Sequence, residues 1–188
     1  LYVGRLVENK GVHFLLEAVR NLVVKGHSDL ILIVCGARGY ASRDMTPYIQ
    51  KLYNIAYEVN ENILFKGFIP HEKILNYYLK SDLVVIPSEV QEGFCLITIE
   101  GMASGVPVLA SKRGGMPEIV LHGRTGNVVD DPSSENFERA IKLFIDRPDI
   151  FQKYQQPARL WVEEKFTWNK VSQTVEHKYK ELIGSSGS

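Results

Sequence analysis

The sequence predicts an α/β fold, a doubly wound and mostly parallel sheet with helices on both faces, followed by a helical C-terminal tail. Three observations carry this reading. Leu30–Cys35 reads LILIVC, an unbroken apolar run of the kind buried on both faces of a parallel sheet. Short apolar runs alternate with helical periodicity up to about Pro132. Beyond that point only the helical periodicity remains. Alternation of this kind implies right-handed crossovers, because parallel neighbours cannot be joined by a tight turn.

Taken in order, the chain opens inside a strand, Leu1–Gly4, and Phe14, Leu15, Ala18, Val19 and Leu22 then mark one face of a helix. The LILIVC strand is followed by the one long loop, residues 36–44, which leaves a strand end where ligand contacts are favoured. Tyr48, Ile49, Leu52 and Ile55 mark a second helix, Ile63–Phe65 a strand, and Ile74, Leu75, Tyr78 and Leu79 a third helix. Leu83–Ile86 and Val106–Ala110 are strands flanking a turn that enters a helix, and Asn127–Val129 is a further strand. Phe137, Ala140, Ile141 and Phe144 begin the helical tail, which breaks at Pro148 and near Phe166–Trp168. Thr167 or Asn169 is expected to cap a last helix running to about Ile183.

Residues 1–183 therefore read as one domain and residues 184–188, GSSGS, as a linker or appended tail. A start inside a strand, with no initiating methionine, reads as a piece of a longer protein. The 188 residues carry 22 basic and 22 acidic side chains, so formal charge is zero, and no Lys/Arg run exceeds two residues. That excludes a nucleic-acid surface or a polybasic membrane anchor from the expectation. No apolar run reaches the roughly 20 residues of a membrane span. Two cysteines, Cys35 and Cys95, do not make a disulfide framework, and the scattered histidines offer no metal cluster, so a reducing, cytoplasmic setting without a metal is expected.

Three stretches fall at the carboxyl ends of strands, where open α/β sheets bind ligands. The first is Pro87–Glu100, PSEVQEGFCLITIE, in which Glu92 and Glu100 flank a turn entering a helix. Carboxylates there accept hydrogen bonds from paired hydroxyls, and the amides of Gly93, Phe94, Cys95 and Leu96 can donate to a phosphate or a sugar. A capping carboxylate plus a helix-surface glutamate is the plainer reading, more credible for Glu92 than for Glu100. The second stretch is Gly4-Arg5…Lys10-Gly11, two cations near a helix start that suit a phosphate or diphosphate. The same residues read equally well as a solvated charge pair with turn glycines. The third is Ser111–Glu118, whose Gly114-Gly115 pair permits close backbone approach to a ligand.

Other candidates favour packing roles. Cys35 reads as a small buried hydrophobe, Cys95 has no base to make it a nucleophile, and His13 reads as a surface or packing residue. His71 is expected to cap the helix that follows it. Trp161, Phe166 and Trp168 read as interhelical packing.

Seven stretches in order, GRLVENKG, LIVCG, FKGFIP, SDLVVIPSEVQEGFCLITIEGMASGVPVLAS, GGMPEIV, GRTGNVV and FTW, resemble the nucleotide-sugar-binding half of a retaining family 4 glycosyltransferase. The resemblance implies a Rossmann-like domain forming the second half of a GT-B fold, with an N-terminal acceptor-binding domain missing from this sequence. By position, Gly4, Arg5 and Lys10 would hold the donor diphosphate, Glu100 the ribose and Glu92 the transferred sugar. The amides of Gly93, Phe94, Cys95 and Leu96 would contact sugar and phosphate, and main-chain groups around Ile69 the base. Arg5, Lys10 and Glu92 would be the residues serving the transfer step.

The substrate implied is a nucleotide diphosphate sugar, with UDP favoured by family frequency and GDP or ADP as alternatives, and no cofactor. Association with the cytoplasmic face of a membrane would come through the missing domain. The sequence departs from the family at Cys95, usually glycine and expected here to narrow the donor loop, and at Gly101, usually alanine. Against a sugar transferase stand a non-catalytic scaffold or partner-binding module, and a GT-B epimerase or phosphorylase. The EGF…IE…GG constellation favours the transferase.

Overall fold

The computed structural model of the chain describes residues 1–37 and 45–185, so most of the long loop at 36–44 lies outside the described residues. Among the described residues the strands run β1 Tyr2–Val3, β2 Leu32–Cys35, β3 Ile63–Gly67, β4 Val84–Ile86, β5 Val108–Ser111 and β6 Gly126–Val129. The α-helices are α1 Val12–Val24, α2 Pro47–Ala56, α3 His71–Tyr78, α4 Leu96–Ala103, α5 Met116–Ile119, α6 Ser134–Asp146, α7 Asp149–Lys165 and α8 Trp168–Ser185. All four strand pairings are parallel.

The strands pair as β1-β2-β3 and as β4-β5-β6. The two triplets meet where the Val85 amide donates to the Leu1 carbonyl at 2.9 Å. Progress along the sheet thus starts at the centre, moves outward through β2 to β3, and restarts on the other side with β4. The seam between β1 and β4 is the point where strand order reverses, and the crevice beyond its carboxyl end is where such folds receive ligands.

Strand alternation divides the core in two. Tyr2, Leu32, Val34, Val85 and Leu109 face one side, where they pack with α1, α2 and α6 through Leu15, Leu22, Leu52 and Phe137. Leu1, Cys35, Val84, Ile86, Val108 and Ala110 face the other, against α3, α4 and α7 through Ile74, Tyr78, Met102 and Ala158. A strand contributes to both cores only if neither face is polar, which is why LIVC lacks alternation; the strand expected from Leu30 begins at Leu32, with Ile31 exposed ahead of it. Cys35 is buried there as expected of a small hydrophobe.

Caps follow side-chain chemistry. Thr46 accepts from the Ile49 amide ahead of Pro47 at the start of α2, and Ser133 accepts from Asn136 at the start of α6. Thr167, and not Asn169, caps α8, accepting from the Lys170 amide at 3.4 Å.

Some expectations are corrected. The strand expected from Val106 begins at Val108, since Pro107 has no N–H for the ladder. The Gly-Gly stretch enters a short helix, α5, which the sequence reading did not anticipate. His71 is the first residue of α3; Pro70 occupies the cap position and no side chain caps that end. Trp161 does pack between elements, donating from Nε1 to the Ile119 carbonyl at 3.1 Å, and Phe166 lies beside it. Trp168 is 84% exposed on the first turn of α8 and packs against neither. Gly101 sits over the sheet, where a Cβ would stand 3.2 Å from Val84 and 3.3 Å from Val108. Its departure from alanine therefore concerns how closely α4 approaches the strands.

Candidate functional site

Two loops build the site, one after β1 and one after β4, and they interlock at the switch point. The Glu89 amide donates to the Asn9 carbonyl at 3.1 Å. Gly11, at φ 63°, sits so close to the Pro87 carbonyl that a Cβ would overlap it. His13 is buried against the same junction, its Nδ1 3.1 Å from the Tyr48 hydroxyl and its Nε2 3.8 Å from Glu89. Burial, with the charge of Lys51, holds its pKa below the ordinary value. His13 is thus a packing residue of the loop junction.

Across this junction Lys10 Nζ lies 2.5 Å from Glu92 Oε1. Lys10 ends a short 3-10 turn, Glu8–Lys10, that precedes α1. The same Glu92 oxygen accepts from Ser88 Oγ at 2.5 Å, and Ser88, 1% exposed, is itself held by Ser111 Oγ on its carbonyl. Burial alone would raise the Glu92 carboxyl. The hydrogen bonds from Lys10 and Ser88, with the charges of Lys10 and Arg5, outweigh it and hold the group below its ordinary 4.5. The sequence assigned Lys10 and Glu92 to different parts of a ligand; the fold makes them one ion pair. Arg5 is exposed in the loop after β1, with no acidic partner among the described residues.

The Gly-Gly pair makes a close approach within the protein. Its close approach is to the loop that carries Glu92: the Gly115 amide donates to the Glu92 carbonyl at 2.7 Å, and the Gly114 amide to Gln91 Oε1. A Cβ on Gly114, which has φ 59°, would fall within the Glu92 backbone. The pair is a buttress under that loop.

Behind that loop, α4 starts at Leu96 with Cys95 in the cap position and no side-chain cap. Among the described residues the amides of Phe94, Cys95 and Leu96 have no protein acceptor, as expected for the first donors of a helix. The Cys95 side chain turns inward to the apolar cluster of Ile86 and Met116, so it does not narrow the loop. The rings of Phe94 and Phe166 stand 6.0 Å apart, Phe94 being largely exposed.

A cleft of about 350 Å³ opens beside these loops, lined among others by Gly4, Arg5, Cys35, Gly36, Ile69 and Ile74. It brings Ile69 to the residues at the end of β1. Two residues beyond Ile69, His71 Nδ1 is 3.9 Å from Glu100 Oε1, and Tyr78 Oη donates to Glu100 Oε2 at 2.8 Å. Sequence reasoning had not singled out Ser88, and Tyr78 was legible only as one position on a helix face. The cleft itself carries Ile69 and the exposed cation of Arg5; the elements around it add the partly exposed Glu100 carboxylate, the open amides at the α4 start and the Lys10–Glu92 pair. Such a row suits a nucleoside with an attached anionic phosphate chain.

Residues 1–161 match the family described as glycosyl transferases group 1. Over 96% of the chain the sequence is 36% identical to a lipopolysaccharide 1,2-N-acetylglucosaminetransferase from Salmonella typhimurium, of which it covers 47%. Among solved structures, a C-terminal domain of a glycosyl transferase group 1 family protein from Francisella tularensis aligns over 89% of this chain and 85% of that one, at 28% identity and a TM-score of 0.78. A sucrose-phosphate synthase from Thermosynechococcus elongatus aligns over 98% of this chain and 45% of that one, at 27% identity and a TM-score of 0.83. The chain spans about half the length of the curated relatives it matches.

Proposed function

The chain belongs to the glycosyl transferases group 1, and on that premise we propose that it is the donor-binding half of a retaining, family 4 enzyme that moves a sugar from a nucleoside diphosphate sugar to an acceptor. The observation that supports the reading is that the loop after β1, which carries Arg5 and Lys10, meets the loop after β4, which leads into the open amides of Phe94, Cys95 and Leu96, at the Lys10–Glu92 pair. Cations and helix N-terminal donors converging there favour a diphosphate. Glu100 takes the ribose hydroxyls, groups around Ile69 the base, and Glu92 the hydroxyls of the transferred sugar.

Transfer breaks the bond between the anomeric carbon and the diphosphate oxygen, leaving negative charge on the departing group and positive character on the sugar. Arg5, Lys10 and the α4 amides stabilise the former; they act most strongly as the charge develops, which is where stabilisation speeds a reaction. Glu92, beside Lys10, adds negative potential near the developing positive centre. The chain's resemblance to a lipopolysaccharide 1,2-N-acetylglucosaminetransferase favours polysaccharide or glycoconjugate assembly as the setting. The acceptor is held by a second, N-terminal domain that faces this crevice. On this reading the 188-residue chain binds donor and transfers nothing by itself.

Calorimetry with UDP, GDP and ADP and their sugars tests the proposal. One nucleoside diphosphate should bind, and Arg5→Ala and Lys10→Ala should each weaken it about tenfold or more, the scale of a lost charge-assisted contact. No binding to any of the nucleotides would return the chain to a scaffold role. Sugar transfer by this chain alone would overturn the need for a second domain.

A further inference from the structure

We propose that Tyr78 is a positioning residue that fixes the Glu100 carboxylate for ribose recognition, an inference that rests on the reading of Glu100 given above. Tyr78 ends α3 and is 1% exposed, packed in the apolar cluster with Ile74, Val84, Ile86 and Met102. Its one polar atom, Oη, donates to Glu100 Oε2 at 2.8 Å, joining residues 22 positions apart on two helices. A buried phenol with no acceptor is costly, so the core compels this bond.

The bond divides the work of the two carboxylate oxygens. Oε2 is taken by the buried Tyr78, while Oε1 lies 3.9 Å from the ring of His71, whose side chain is 84% exposed. The Glu100 side chain as a whole keeps 30% exposure, enough for a ligand to reach it. A free glutamate on a helix samples several rotamers, and a ligand that needs one of them must bear the entropy of selecting it. Tyr78 makes that selection in advance. Burial, with the charge of Glu100, raises the phenol pKa far above its usual range, so the group remains a donor wherever the protein is folded. Ile74, one turn earlier on α3, lines the cleft beside Arg5 and Ile69. The same helix therefore shapes the nucleoside cleft and aims the carboxylate that grips its sugar.

The test is the ratio of affinities for a nucleoside diphosphate and its 2′-deoxy counterpart, measured by calorimetry with UDP and dUDP, GDP and dGDP, and ADP and dADP. Wild-type chain should prefer the ribonucleotide. Tyr78→Phe keeps the ring in the core and should reduce that preference about tenfold, while a thermal melt confirms that it folds. In the Glu100→Ala background the preference is already lost, and adding Tyr78→Phe should change it no further. Placing 4-aminophenylalanine at position 78, which restores an N–H donor at the same point, should recover the preference and serves as the second variant if the phenylalanine form does not fold. A helix-anchoring role alone would lower the melting temperature and leave the ratio untouched. Retention of the wild-type ratio by Tyr78→Phe would overturn the proposal. A wild type that binds nucleotide with no ribose preference would instead overturn the role of Glu100, and this inference with it.

Discussion

Lys10 Nζ and Glu92 Oε1 meet at 2.5 Å although 82 residues separate them, tying the loop after β1 to the loop after β4. A cation proposed to grip phosphate is therefore already partly neutralised. On the proposed reading a donor would share Lys10 with Glu92, so that Glu92 would influence the phosphate arm as well as the sugar.

Glu92→Gln keeps the shape of this junction and removes the charge. A bare nucleoside diphosphate should bind about threefold to tenfold more tightly, because one nearby like charge is gone and Lys10 is released. The complete nucleotide sugar should gain less, or lose, since it forfeits the contact to its hydroxyls. Equal changes for both ligands in calorimetry would show that Glu92 senses only phosphate.

The same pair sets an acid dependence. Because the folded pKa of Glu92 lies below its ordinary 4.5, the pair adds stability above that pH, and this contribution disappears as pH falls through the lower folded value. Lys10→Met should cost about 1–3 kcal/mol near neutral pH, and the deficit should shrink at about pH 3.5, where Glu92 is closer to protonation in both proteins. Urea unfolding at the two pH values measures it. A deficit that grows in acid would contradict the sign.

Gly114→Ala should disturb the site without touching a ligand. Its φ of 59° and the Glu92 backbone behind it both oppose a side chain. A loss of about 2–4 kcal/mol is expected, with weaker nucleotide binding as the buttress retracts. Gly123→Ala is the control, with φ 74° and nothing within 4 Å of the added Cβ. It should cost about 1–2 kcal/mol, the conformational strain alone. Similar losses at both positions in thermal denaturation would mean that the 114–92 contact is not tight in solution.

Tyr154→Phe reports on the helical tail. Tyr154 of α7 donates to Asn127 Oδ1 of β6 at 2.9 Å inside the protein. Its loss leaves a buried amide oxygen without that donor and should cost about 1–3 kcal/mol in denaturant unfolding. Nucleotide affinity should stay unchanged, since β6 is the edge strand of its sheet and the site lies at the central seam. A parallel fall in affinity would show that α7 docking is coupled to the donor loop.

Much was legible in the sequence where local chemistry is sufficient. Within LILIVC the LIVC part is the strand buried on both faces, Leu32–Cys35, while Leu30 and Ile31 precede it and Ile31 is 47% exposed, so the apolar run announced the strand but not its start. Arg5, Lys10, Glu92 and Glu100 were found because charged residues beside turn glycines at strand ends stand out from an apolar background. Pro107 and Thr167 show how single residues then fix boundaries, one by lacking an N–H and the other by supplying a side-chain acceptor.

What only the tertiary structure decided is who meets whom. Lys10 and Glu92 had separate roles in the sequence, and their pairing depends on β1 and β4 lying side by side, a long-range fact that no local pattern encodes. Gly114-Gly115 looked like a ligand-binding turn, yet its missing side chains make room for the Glu92 backbone. Tyr78 looked like one more apolar position on a helix face. Its hydroxyl acquires meaning only once α3 and α4 pack against the same strands and bring Glu100 within its reach. Sequence specified the elements and the chemistry at their ends; packing specified which oxygen each donor reaches.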